Sequence, residues 1–222
     1  MANTSTNNRR FKLKPQHITW LKVLIHVISL LFVAILIIQT FNGGFGADPV
    51  KGIEHYTGKA ALNTLFLTLL ISPIARWGKQ AALIKVRRVL GLYSFLWALL
   101  HLTIYVSLDL GFDWALIGEE IIQRPYLAIG AVSWVILLLL TLTSTQKIQR
   151  KLGTRWQQLH NWVYIALLLS PIHYLWSVKS GITEPVIYLI VACALLYWRK
   201  DKLKRWLSQL GNSRNQKTSM PS

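Results

Sequence analysis

Six histidines are the side chains in this chain whose type and placement can do chemistry. Four of them, His26, His101, His160 and His173, fall inside long apolar runs, where an ionisable group is costly to bury and is usually kept for function. His101 comes 13 residues after Arg88 and His173 comes 18 after Arg155, so both lie well beyond the basic flank of their own run, at matching depth. His160 is only five residues past Arg155, near the opposite end of the run that carries His173. Neutral imidazoles are metal ligands, and two of them on facing helices hold a haem iron from both sides in many bundles. Other axial ligands are excluded by inventory: Met1 and Met220 are the only methionines, Cys193 is the only cysteine, and no CxxCH motif is present. The residues therefore point to a non-covalent b-type haem between His101 and His173. The competing reading is a histidine that hydrogen-bonds across helices, which suits His26 best. A separation of 13 residues turns an ideal helix by about 220°, so His160 and His173 fall on different faces unless Pro171 distorts the turns between them. His17 in the amino-terminal segment and His55 in the first outer loop are read as surface residues.

The elements that must position these side chains follow from charge patterning. Of 222 residues, 53% are hydrophobic and 15% charged, with a net charge of +17; a soluble domain carries about a quarter charged residues. Uncharged runs at 23–47, 60–75, 89–108, 125–146, 156–178 and 185–198 approach the roughly 20 residues that cross a bilayer. This predicts an all-α integral membrane protein with six transmembrane helices, since helices satisfy their own backbone hydrogen bonds in lipid. With a cytoplasmic amino terminus, all basic residues except Lys51, Lys59, Arg124 and Lys179 fall on the cytoplasmic side, and all acids except Asp201 fall outside. The positive-inside rule then places both termini in the cytoplasm and assigns the high charge to topology rather than nucleic-acid binding. The expected division is a tail over 1–18, a six-helix domain over 19–198 and a basic cytoplasmic tail over 199–222. The segments 1–8 and 211–222 are polar and expected to be unstructured. The sixth span is the weakest and is expected to begin near Ile182. No internal repeat and no soluble second domain are apparent. A secretory signal is the lesser reading of the first run, because five more runs follow it.

The cations Arg87, Arg88, Arg150, Lys151 and Arg155 form an expected inner cluster, with Arg87, Arg88 and Arg155 the candidates for haem propionate or flavin phosphate contacts. Positive-inside anchoring is their plainer role. No strand precedes the glycines at 43, 44 and 46, so no dinucleotide fingerprint exists, and electrons must come from a membrane quinone or a separate reductase.

GGFGADPVKGIEHYTGK at 43–59, RRVLGLYSFLWALLHLT at 87–103, RPYLAIGAVSWVILL at 124–138, TSTQKIQRKLGTRWQQLHNWVY at 143–164 and SPIHYLWSVK at 170–179 resemble the MsrQ (YedZ) family. This is the haem-binding membrane subunit of the bacterial periplasmic protein-methionine-sulfoxide reductase system, in the ferric reductase-like transmembrane group. The resemblance runs from about Thr19 to Trp206. In the wider group the third and fifth helices each carry two histidines and hold two stacked haems. The resemblance implies that His101 and His173 bracket an outer haem b and that His160 faces an inner site. Arg87 stands near the place of the missing fourth histidine, with His26 the candidate replacement. It further implies FMN, with no residue assigned, and a quinol or cytoplasmic flavin reductase as donor. The implied setting is the bacterial inner membrane, with a periplasmic molybdopterin-containing methionine sulfoxide reductase catalytic subunit as heterodimer partner, docked on outer loops 42–58 and 109–124. The chain itself would do no sulfoxide chemistry. A stand-alone transmembrane ferric or quinone reductase is the alternative from the enzyme class, and a transporter with packing histidines is the alternative without redox function.

Overall fold

The computed structural model describes residues 13–218, with side chains as far as residue 209, and every regular element among them is helical. In order these are α1 (Pro15–Phe41), α2 (Pro49–Trp77), a 3-10 segment (Ala81–Val86), α3 (Arg87–Ile104) closed by a π turn (Tyr105–Asp109), α4 (Trp114–Gln123), α5 (Pro125–Leu142), α6 (Gln146–Leu152), α7 (Thr154–His160), α8 (Val163–Ser177), α9 (Thr183–Tyr197) and α10 (Lys200–Thr218). Three long helices, α1, α2 and α5, begin at a proline, whose missing N–H is harmless in the first turn. Asp48 caps α2 by accepting a hydrogen bond from the Lys51 N–H at 3.2 Å, and Asp113 caps α4 through the N–H groups of Ala115 and Leu116.

Four stretches are long and apolar enough to cross a membrane: Pro15–Phe41, Pro49–Trp77, Ala81–Asp109 and Pro125–Leu142. The two remaining apolar runs are shorter as helices. α8 and α9 have 15 residues each, a rise of about 22 Å against a hydrocarbon core of about 30 Å. α8 is shortened because the helix breaks at Asn161–Trp162, directly after His160. α9 starts at Thr183, one residue past the predicted Ile182.

Other expectations are corrected. His55 belongs to α2 rather than to a loop, because capping by Asp48 starts that helix at Pro49. The segment between α3 and α5 holds a helix of its own, α4. α10 runs to Thr218, through much of the carboxyl-terminal stretch whose polarity predicts no structure. Residues 1–12 and 219–222, including the predicted tail at 1–8, lie outside the described residues.

Two antiparallel hairpins, α2 with α3 and α5 with α8, make the heart of the bundle. Their facing apolar residues, among them Leu65 and Leu69 of α2, Ile136 and Leu140 of α5 and Leu167 of α8, pack into one core that α9 completes through Ala192 and Leu195. α1 lies outside this core and exposes Leu24, Val27, Leu30 and Leu31, an apolar surface matched to lipid rather than water. Leu69 is fully buried at the centre. Leu69→Ala is expected to destabilise the bundle by roughly 2–5 kcal/mol through lost packing and a cavity. A lowered thermal unfolding midpoint in detergent checks this, and an unchanged midpoint would show that α2 does not seat against α5 and α8 as described.

Candidate functional site

The two hairpins each deliver one histidine to a common slot. His101 on α3 and His173 on α8 face each other with ring centroids 6.3 Å apart and planes 77° to one another. Each ring is held by the first helix of its own hairpin. His101 Nδ1–H donates to the backbone carbonyl of Glu54 at 3.0 Å, and His173 Nδ1–H donates to that of Tyr126 at 2.8 Å. That assignment fixes the tautomer, because a carbonyl only accepts. It leaves both Nε2 atoms as acceptors, and neither has a hydrogen bond among the described residues.

A helix carbonyl normally serves only the N–H four residues on, and side chains shield it from other donors. Here the residue four places on is glycine in both hairpins: Gly58 after Glu54 and Gly130 after Tyr126. Cβ atoms tilt toward the helix amino terminus, so a side chain at those positions would lie over the carbonyl that the imidazole uses. A Cβ built on Gly130 would stand 2.7 Å from His173 Nδ1, and one built on Gly58 would stand 3.3 Å from His101 Nδ1. The correspondence is internal to the chain, since each histidine lies 47 residues after its acceptor. It extends about two turns further, with the donor and acceptor helices exchanged between the hairpins. Ser94 Oγ donates to the Ala61 carbonyl at 3.1 Å across the first hairpin, and Ser133 Oγ reaches the Ala166 carbonyl at 3.4 Å across the second. Sequence comparison within the chain misses this repeat because, beyond Gly58 with Gly130 and the two histidines, the matched positions share little more than scattered leucines such as Leu65 and Leu137, and serine and alanine exchange places.

The spacing suits a single metal ion. With a metal to imidazole nitrogen bond of about 2.0 Å and roughly 1.1 Å from that nitrogen to the ring centre, two imidazoles on opposite sides of one ion have centroids about 6 Å apart. No group of three or more His, Cys, Asp or Glu is gathered anywhere among the described residues. An ion held by His101 and His173 must therefore bring its own equatorial ligands, as a porphyrin does. Buried polar atoms without partners, Glu54 Oε1 and Tyr105 Oη, occur near the His101 end of the slot.

The other predicted site residues are distributed differently. His160 is stacked on Trp156 at 3.9 Å and its Nε2 meets Thr143 Oγ1 at 3.2 Å. The charge acting on it is Arg87. Arg88, 13 residues before His101 as His160 is before His173, is exposed. His26 is hydrogen-bonded to the Tyr93 hydroxyl at 2.7 Å, the cross-helix role, and has no ring contact or hydrogen bond with His160. The break that rephases the helix between His160 and His173 is at Asn161–Trp162, before the predicted distortion at Pro171. The inner cationic cluster does not assemble as expected. Arg87 turns into a pocket with Arg76, Arg199, Lys202 and Arg205, whereas Arg88 and Arg155 are exposed and line no part of it. Sequence reasoning also passed over Gly58, Gly130 and the two carbonyls; glycine in an apolar run was the available signal of close approach.

The ferric reductase like transmembrane component family matches residues 57–170, from Thr57 within α2 to Ser170 within α8, which includes His101 and stops short of His173. Over 196 residues, 88% of this chain and 98% of the relative, the chain is 55% identical to the protein-methionine-sulfoxide reductase heme-binding subunit MsrQ of Enterobacter sp. (strain 638). It is 54% identical over 198 residues, 89% of this chain and 97% of the relative, to the protein of the same name from Klebsiella pneumoniae subsp. pneumoniae. The counterpart from Salmonella paratyphi B is 54% identical over 196 residues, 88% of this chain and 98% of the relative. Fold and site thus define a multi-pass membrane protein of the ferric reductase-like transmembrane class. Within that class the chain belongs to the MsrQ family.

The two glycine contacts rank the sites. Gly130→Ala, with its added atom 2.7 Å from the ring, is expected to cost about 1–3 kcal/mol by overpacking and to exceed Gly58→Ala at 3.3 Å. Thermal unfolding of the two variants checks the order, and equal or absent losses would remove the close approach from the site.

Proposed function

We propose that this chain is a haem b electron-transfer subunit that passes electrons across the bacterial inner membrane to a periplasmic molybdopterin-containing methionine sulfoxide reductase. The observation that carries this reading is the pair of facing imidazoles whose Nδ1 atoms are tied to helix carbonyls and whose Nε2 atoms are free, 6.3 Å between ring centres. The names of the relatives, heme-binding subunits of protein-methionine-sulfoxide reductase, supply the pathway. Haem, when bound, would supply one-electron exchange, and His101 and His173 would be the residues that hold its iron. Imidazoles that donate to a carbonyl through Nδ1 are more basic at Nε2, which strengthens the ligand and fixes its direction. The slot lies among α2, α3, α5 and α8, whose largely apolar residues would raise the cost of changing the charge there.

The proposed topology has six membrane crossings, with α7–α8 and α9 as the fifth and sixth, and both termini cytoplasmic. His101 and His173 then lie toward the periplasm, on the side of the partner, and His160 toward the cytoplasm. The proposed donor is membrane quinol or a cytoplasmic flavin reductase, with FMN as a second cofactor. Since His160 meets Thr143 and Trp156 and no second imidazole among the described residues, the histidine pair supports one bis-histidine haem.

His101→Ala and His173→Ala should each remove the Soret absorption of the purified protein, while His26→Ala retains it. A wild-type spectrum in both of the first two variants would sink the ligand assignment.

A further inference from the structure

At the end of the bundle that carries His160, a cavity of about 190 Å³ lies between α2, the first turn of α3, α8 and the start of α10. Five cations line it, Arg76, Arg87, Arg199, Lys202 and Arg205, against one carboxylate, Asp201. The ion pairs among the described residues are Lys51 with Asp48, Lys59 with Glu184 and Arg124 with Glu120, none of which involves these five. The side chains of Arg76 and Arg87 make no hydrogen bond among the described residues, and Arg87 is half-buried.

The cations are held in place by neutral groups. Pro73 has no N–H to give the Leu69 carbonyl four residues before it, and the Arg199 guanidinium donates to that carbonyl instead. A second Arg199 nitrogen donates to the Tyr164 hydroxyl at 3.4 Å, and the guanidinium carbon lies 5.7 Å from the centre of the same ring. Lys202 Nζ lies 5.9 Å from that ring on its own account. Neutral acceptors and an aromatic face orient the charges and neutralise none of them. Positive-inside anchoring does not account for this, because it needs exposed cations and here Arg87 and Arg199 are drawn half out of water beside each other. Like charges held together in a concave, partly desolvated space raise a potential that an anion relieves, and guanidinium forks fit the oxygens of phosphate. At about 30 Å³ per water-sized group, the space admits a phosphate with a few further heavy atoms, so the rest of a ligand must extend outward.

We propose that this pocket binds the phosphate of an ester, gripped by Arg76 and Arg87 with Arg199 as the fixed third cation. The same chemistry is offered by an anionic lipid headgroup and by a soluble phosphate ester, and the test separates them. The full-length chain in dodecyl maltoside is titrated calorimetrically with glycerol 3-phosphate, with glycerol as the control. In parallel, native mass spectrometry counts the phosphatidylglycerol molecules it retains against phosphatidylcholine. Binding confined to the lipid arm identifies a headgroup site, and binding in the soluble arm a free ester. In whichever arm binds, Arg76→Gln and Arg87→Gln are each expected to weaken it about ten-fold or more, as the loss of a charged hydrogen bond does. Arg87→Lys should recover part of the loss, and Arg88→Gln, outside the pocket, should leave binding unchanged. Arg76 is exposed and unpartnered, so its variant should keep the wild-type unfolding midpoint, which separates lost binding from lost folding. Binding in neither arm, or equal binding by wild type and both glutamine variants, would overturn the proposal.

Discussion

Two hydrogen bonds from imidazole to helix backbone govern this structure. His101 and His173 each use Nδ1 to reach a main-chain carbonyl on the helix beside them, and everything around the slot serves that contact. In an apolar bundle an imidazole with an unsatisfied N–H would be costly, so the proton must go somewhere fixed. A helix carbonyl is such a place only if nothing covers it. Gly58 and Gly130 meet that condition, and the serine bonds about two turns away join the two helices of each hairpin at the same depth. The consequence is chemical. With Nδ1 committed, both Nε2 atoms become acceptors on rings whose centres are 6.3 Å apart, the spacing on which the proposed haem site rests.

The rest of the fold divides into what faces the slot and what faces the surroundings. α2, α3, α5 and α8 build the walls, α9 closes the core, and α1 covers one flank while presenting its apolar residues outward. At the far end the missing N–H of Pro73 anchors Arg199 and so ties the start of α10 to the middle of α2. Trp206 of α10 is buried there against Trp162, at the break that shortens α8. The carboxyl-terminal helix is thus fastened across the bundle end by a guanidinium and an indole.

Much of this was legible in the sequence, for physical reasons that can be stated. The apolar runs and the separation of charges reveal helices in lipid without any tertiary information, and matching depth singles out His101 and His173. What could not be read depends on contacts. His55 moves into a helix because Asp48 caps it, a difference of a few residues that composition does not reveal. α10 forms beyond the apolar runs and seats Trp206 in the bundle, so a polar composition alone predicted the wrong state. Arg87, Arg88 and Arg155 are similar on charge alone, yet only Arg87 turns inward, because a single step along a helix rotates a side chain by about 100°. The internal repeat is carried by glycine, alanine and serine, whose significance lies in what their small size admits.

His101 and His173 are proposed to be the two residues that would hold one haem iron. Electron paramagnetic resonance of the oxidised, full-length protein tests it most directly, because the signal reports both axial ligands and their mutual orientation. With imidazole planes near-perpendicular at 77°, a low-spin ferric signal of large anisotropy is expected. A high-spin ferric signal as the dominant species, or purified protein without haem, would contradict it.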